Sequence, residues 1–184
     1  MNHAVTTRDA ILEKCRQMVT TQGWSSISIR AVASSCDVSV GAIYNYFASK
    51  AELVLSTVES VFEDVFRMPS EGSFESVTAC IRWAYACMAS GAQRYPGFFV
   101  SHAALFSDED KVSGRSLMDH VWKHMHAHLL LAIECDPHIR QDAFDEHLSP
   151  QGLADLIFSQ LVMDLMRGMK SPDTLLTLIE RSLY

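Results

Sequence analysis

An all-α fold of about nine helices is predicted by three observations. Apolar residues recur at a period near 3.6 along most of the chain. No run alternates with period two for long enough to make a strand. All five prolines (Pro69, Pro96, Pro137, Pro150, Pro172) fall between the periodic segments or at the start of one rather than in their interiors. The chain has 184 residues, 48% of them hydrophobic and 20% charged, which is enough apolar content to bury a core and to exclude wholesale disorder.

Each helix has its own signals. Thr6 or Thr7 caps a first helix carrying Ile11, Cys15, Met18 and Val19, and Gly23 ends it. Ser26 or Ser28 caps a short second helix through Ile29, Val32 and Ala33. Cys36-Asp37-Val38 reads as a tight turn, after which Ser39 caps a third helix from Val40 to Tyr46. Ser49 caps a fourth, with Glu52 three residues on as a capping box, and Met68-Pro69 stops it. A long helix over 74–94, an apolar segment over 98–106 and another long helix over 110–134 follow. Residues 138–148 read as a short polar helix or loop. Ser149-Pro150 opens a strongly apolar helix to about 169, with proline in its first turn, and Ser171-Pro172 opens the last.

Charge is unevenly spread. Residues 1–50 balance at +2, while residues 51–184 carry −9, giving −7 overall. A polyanion would be repelled by the acidic part, so nucleic-acid contact is confined to the first third. The N-terminus lacks the unbroken apolar run of a signal peptide, and no charge-free stretch of 18 apolar residues appears, so a cytoplasmic protein without a membrane span is expected. Five cysteines without a C-x-x-C pair point to reduced thiols rather than a disulfide framework.

Residues 26–50 carry the chemistry. Short helix, tight turn and short helix make the geometry of a DNA-binding helix-turn-helix. Ala31, Val32 and Ala33 are slim enough for a second helix to cross closely, and Val38 plugs the turn. Ser39 stands at a helix N-terminus whose free N–H groups suit a phosphate oxygen. Val40, Gly41 and Ala42 are small enough to enter a major groove about 12 Å wide. Tyr44, Tyr46 and Lys50 offer donors to backbone phosphates, and Asn45 can bond a base edge in two places.

The stretch Thr7-Arg8-Asp9-Ala10-Ile11, Gly23-Trp24, Ile27-Ser28-Ile29-Arg30, Val32-Ala33, Val38 to Phe47 and Ser49-Lys50-Ala51-Glu52-Leu53 resembles, in register and without a gap, the N-terminal domain of TetR-family transcriptional regulators. The resemblance implies a DNA-binding domain over 1–48 and a helical effector-binding and dimerisation domain over 49–184. It implies that Ser28 and Arg30 approach the DNA backbone or groove edge. It further implies that Ser39, Val40, Gly41, Ala42 and Asn45 face bases, and that Tyr44, Tyr46 and Lys50 hold phosphates. The family often has Tyr-Tyr-His-Phe or Tyr-Tyr-Tyr-Phe where this chain has Tyr44-Asn45-Tyr46-Phe47, so Asn45 bears on operator preference. The implied activity is that of a homodimeric repressor, bound to a palindromic operator and released by an unidentified small-molecule effector.

The later helices supply candidates for both further tasks. Leu153, Leu156, Ile157, Gln160, Leu161, Asp164 and Leu165, with Leu175 and Ile179 of the last helix, fit an isologous four-helix dimer seam, against the alternative of burial in the protomer core. Phe62, Phe66, Trp83, Met88, Phe99, His102, Phe106, Met118, Trp122 and Met125 are candidates for an apolar effector pocket, within a set of aromatic and Met residues that mostly form core.

His120, His124 and His128 recur every four residues. Two of them can share a transition-metal ion, with His120 and His124 as candidates, but a third at i+8 lies about 12 Å along the helix and cannot easily join. A metal- or redox-sensing regulator using this stripe or the cysteines is therefore the alternative reading, while no cofactor is expected. An enzyme is not: there is no Glu-x-x-His pair for a di-iron centre, no Gly-rich phosphate loop, no G-x-S-x-G and no H-E-x-x-H.

Overall fold

The computed structural model describes residues 6–67, 74–98, 111–168 and 171–184; for 111–121, 165 and 166 it describes the backbone only. The described residues form eight α-helices and no strand: α1 Arg8–Gln22, α2 Ile29–Ser35, α3 Val40–Tyr44, α4 Lys50–Val65, α5 Val77–Arg94, α6 Lys111–Cys135, α7 Pro150–Arg167 and α8 Asp173–Leu183. A single 3-10 turn, Trp24–Ser26, follows α1. The apolar segment expected at 98–106 lies, apart from Phe98, outside the described residues. Residues 138–148 are turns, not a helix. No helix among the described residues is long and apolar enough to cross a membrane.

Local chemistry sets the boundaries. The Thr7 hydroxyl accepts from Ala10 N at 3.1 Å, and Gly23, at φ 78°, closes α1 by donating its N–H to the Val19 carbonyl. The Ser28 hydroxyl accepts from Ala31 N at 3.2 Å. At the N-terminus of α4, Ser49 Oγ accepts from Glu52 N at 3.0 Å, while the Glu52 carboxylate reaches back to Ala48 N at 2.7 Å. Pro150 opens α7 as its first residue, and Gly168, at φ 66°, follows its end. α5 starts three residues later than the periodicity suggests: Ser76 Oγ caps it locally by accepting from Ala79 N at 3.1 Å, and the Asp136 carboxylate adds a bond from Val77 N at 3.0 Å.

The chain divides into two compact units, Met1–Val65 with Gly91–Met118, and Phe66–Ser90 with Asp119–Tyr184. In the first, α1 packs on α2 and α4, and α2 on α3. Ile11, Cys15, Val19, Val32, Ile43, Phe47, Leu53, Val58, Val61 and Phe98 are among its most enclosed side chains. Polar contacts tie α1 to α4: Arg8 donates to Ser56 Oγ at 2.7 Å with its guanidinium over the Phe47 ring, and Arg16 donates to Ser60 and Glu13. Asp64 then accepts from Arg94 at 2.6 Å and from the Tyr95 hydroxyl at 2.7 Å. Burial alone would raise the Asp64 pKa, but these donors hold it below the usual carboxylate value.

The second unit is a helical core of Val77, Ile81, Ala84, Leu129, Ile133, Leu153, Ala154, Ile157, Leu161, Leu176, Ile179 and Leu183. Two buried carboxylates are built into it. Asp136 joins the start of α5 to the C-terminus, accepting from Val77 N, His138 N and the Tyr184 hydroxyl. Burial pushes its pKa up, but the bonds from Tyr184, His138 and Val77 outweigh that and hold it below the ordinary value. Asp164 of α7 accepts from the Tyr85 hydroxyl and, at 2.7 Å, from Gln160 Nε2. Burial first, and then the bond to Asp164, make the Tyr85 hydroxyl hard to ionise.

Candidate DNA-reading face, cavity and dimer surface

The helix-turn-helix is fixed by a few short-range bonds. Asp37, at φ 54°, turns the chain in the left-handed region that Asp tolerates better than most residues. Val38 N bonds the Ala33 carbonyl at 3.0 Å, and Ser39 Oγ accepts from Ala42 N at 3.2 Å. These contacts start α3 with Ile43 wholly buried and anchor Phe47, also wholly buried, just beyond its end. Two inward anchors four residues apart leave the intervening face outward.

That face carries the residues expected to meet DNA. Ser39, Gly41, Asn45 and Lys50 are exposed, Val40 is 39%, Tyr44 50% and Tyr46 36% exposed, and Ala42 is half-buried. At the start of α2, Arg30 is exposed and Ser28 half-buried, its hydroxyl already serving as cap. The structure therefore brings all ten candidates into one helix-turn-helix segment. A Cβ placed on Gly41 would meet only Ser39 Oγ, at 3.8 Å, so nothing inside the protein requires glycine there. A feature beyond the reach of sequence reasoning is the Tyr46 hydroxyl, which donates to the Thr6 carbonyl at 2.5 Å. To donate to a phosphate, Tyr46 has to exchange that partner. Only the segment's distance from Thr6, forty residues along the chain, concealed it.

The effector-pocket candidates are scattered. Phe66, Trp83 and Met125 line a cavity in the second unit with Cys80, His124, His128, Phe158 and Leu161. Its volume is about 30 Å³, close to one water molecule's share of liquid. Trp122 packs edge-on against Phe158 at 6.2 Å, and Met88 is buried in the surrounding core. Phe62 belongs to the first unit, edge-on to Phe98 at 4.7 Å. Phe99, His102 and Phe106, and the side chains of Met118 and His120, lie outside the described residues.

The dimer candidates split by burial. Leu153, Ile157, Leu161, Asp164, Leu175 and Ile179 are in the core of their own unit. Leu156, 54% exposed, and Gln160 face outward, and the Leu165 side chain lies outside the described residues. Met163 joins them: Gly152, Leu156, Ser159 and Met163 make an exposed, uncharged stripe on α7, and Leu178, 53% exposed, stands between Thr174 and Arg181 on α8. All five cysteines are free, and burial pushes the Cys15 thiol up to about 11 and the Cys80 thiol up to about 12, so neither supplies a thiolate near neutral pH.

Residues 11–57 match the family model of bacterial regulatory proteins, tetR family. That segment, about a quarter of the chain, is similar to the N-terminal domain of TetR-family regulators. Over 58 residues it is 36% identical to the HTH-type transcriptional repressor KstR of Rhodococcus jostii (strain RHA1), a match covering 32% of this chain and 27% of that one. Over 69 residues it is 35% identical to the HTH-type transcriptional regulator UidR of Escherichia coli (strain K12), covering 36% of this chain and 35% of the relative. The matches thus span about a third or less of these curated relatives. Fold similarity reaches further. The multidrug binding protein EbrR, solved in complex with imidazole, aligns over 98% of this chain and 97% of its own with a TM-score of 0.62 at 16% identity. BioQ, solved with its double-stranded DNA operator, aligns over 89% and 86% with a TM-score of 0.55 at 13% identity. The family and the named relatives are transcriptional regulators, not enzymes.

Proposed function

We propose that this protein is a TetR-family regulator, a cytoplasmic repressor that binds a palindromic DNA operator as a homodimer and leaves it when a small molecule binds. The observation carrying the reading is the outward face of α3 and its flanks, where Val40, Gly41 and Asn45 are exposed and Ala42 half-buried beside Tyr44 and Lys50. Residues 1–48 are taken as the reading domain, with Ser28, Arg30, Ser39 and Tyr46 completing the contact set, and 49–184 as the sensing and dimerising part.

A single five-residue reading helix offers few contacts, so two copies on a twofold axis are needed for a specific site. The uncharged stripe Gly152, Leu156, Ser159 and Met163, with Leu178, supplies a self-complementary surface for that pairing. The cavity beside Trp83, Met125 and Phe158 is the effector site of this reading. A drug-sized ligand needs roughly 300–1,000 Å³, so at about 30 Å³ the cavity must open around its rings. That opening makes binding and rearrangement one event, and a coupling of about 1–3 kcal/mol is enough to release DNA several-fold to hundred-fold.

The test is fluorescence anisotropy of the full chain with duplex DNA from its own upstream region, competed by unrelated duplex across a salt series. Specific binding that weakens steeply with salt, and is lost in the double variant Tyr44→Ala, Lys50→Ala, supports the proposal. Equal affinity for both duplexes, or binding untouched by the double variant, rejects it.

A further inference from the structure

The α6 histidines contain a geometry that DNA reading does not use. His124 and His128 lie four residues apart on one helix, which puts them on the same face. Their Nε2 atoms are 3.1 Å apart, with ring centroids at 4.5 Å and ring planes at 85°. Both line the second unit's cavity; His124 is exposed and His128 half-buried. With metal–nitrogen bonds of about 2.0–2.1 Å, the 3.1 Å separation corresponds to an N–metal–N angle of roughly 100°. That lies between the tetrahedral and octahedral values, so an ion can be held without moving either ring far.

We propose that His124 and His128 form a two-imidazole chelate for a late divalent transition-metal ion, Cu²⁺, Ni²⁺ or Zn²⁺, at the edge of this cavity. Imidazole is a borderline ligand suited to these ions rather than to Mg²⁺ or Ca²⁺. The two Nε2 atoms stand within hydrogen-bond distance of each other, and to hold the ion both present their lone pairs, with the ring protons on Nδ1. Among the described residues no His, Cys, Asp or Glu completes a group of three, so water fills the remaining positions and the ion exchanges readily. His126 is not part of the chelate: it sits on another face, with Nε2 2.9 Å from Asp155. The site stands whether or not the cavity takes an organic effector, because it rests on the two rings alone.

The test is calorimetric titration of the tag-free full chain, separately with Cu²⁺, Ni²⁺ and Zn²⁺, with Trp83 and Trp122 fluorescence as a second readout. One equivalent per chain is expected. Loss of a first ligand should weaken binding at least as much as loss of its supporting partner, so His124→Ala and His128→Ala should each cost about tenfold or more. His147→Ala, on an exposed turn, should leave affinity unchanged. Alanine is the best helix former, so both α6 variants should keep wild-type circular dichroism. No heat or quenching in the wild type, or equal affinity in wild type and both α6 variants, overturns the proposal. DNA affinity measured on the same samples keeps that failure separate from a failure of the regulator reading.

Discussion

On α3, Val40 and Tyr44 are 39% and 50% exposed while Ile43 between them is wholly buried. On α7, Leu156 and Met163 are 54% and 41% exposed while Leu153, Ile157 and Leu161 are buried behind them. The first helix has five residues and the second eighteen. The difference lies in what surrounds the apolar side chain. On α3 it stands among Ser39, Gly41, Asn45 and Lys50, groups that bond or approach a polyanion; on α7 it stands among Gly152, Ser159 and Gln160, with little charge, which suits a copy of itself. Exposure alone therefore does not separate a reading face from a docking face, whereas the neighbouring polar chemistry does.

Breaking the first face should have the largest effect. Gly41→Trp puts a large ring where the helix has to approach the groove floor. It should lower operator affinity by roughly a hundredfold, equal to losing two contacts of about 1–3 kcal/mol each. Because the space around Gly41 is open, thermal stability should be nearly unchanged. A parallel loss of folding would place Gly41 in the core rather than on the reading face.

Charging the second face comes next. Leu156→Glu with Met163→Glu sets like charges against each other across an isologous seam, so gel filtration with light scattering should shift from two chains to one. Operator binding should weaken with it. A dimer that survives both substitutions would move the seam elsewhere.

The buried carboxylate of the second unit sharpens the contrast between docking and folding. Asp136→Asn should cost about 1–3 kcal/mol of stability, since it weakens three bonds around a buried group. The native pKa of Asp136 is depressed, so its contribution is present above the unfolded carboxylate value and is lost as pH falls through the lower native one. Melting temperatures compared at neutral and strongly acidic pH should therefore fall less in the variant than in the wild type.

The smallest effect has two opposite signs. Gly41→Ala should stabilise the protein by about 0.5–1 kcal/mol, because alanine suits a helix interior better. It should nonetheless weaken operator binding, which equilibrium binding and melting curves on one preparation would separate.

The helix-turn-helix was legible because its determinants are local. Thr7, Ser28, Ser39 and Ser49 each cap with a hydroxyl that accepts from an N–H three residues on, a relation visible in the chain itself. The start of α5 follows the same rule, with Ser76 accepting from Ala79 N, but the second bond there, from Val77 N to Asp136, spans 59 residues and was not legible. Periodicity marked the buried side of α7 and α8 without saying whether the same protomer or a partner covers it. Leu153, Ile157, Leu175 and Ile179 proved to pack within their own unit. The aromatic and Met candidates for the pocket had no local signature at all, and among the described ones Phe66, Trp83 and Met125 meet at the cavity.

The most direct test of the central claim is a hydroxyl-radical footprint of the full chain on a selected operator. Two protected patches related by a twofold axis, with centres about 10–10.5 base pairs apart or a multiple of that, and both lost in Gly41→Trp, are the predicted result. A single asymmetric patch, or protection that persists in that variant, would contradict it.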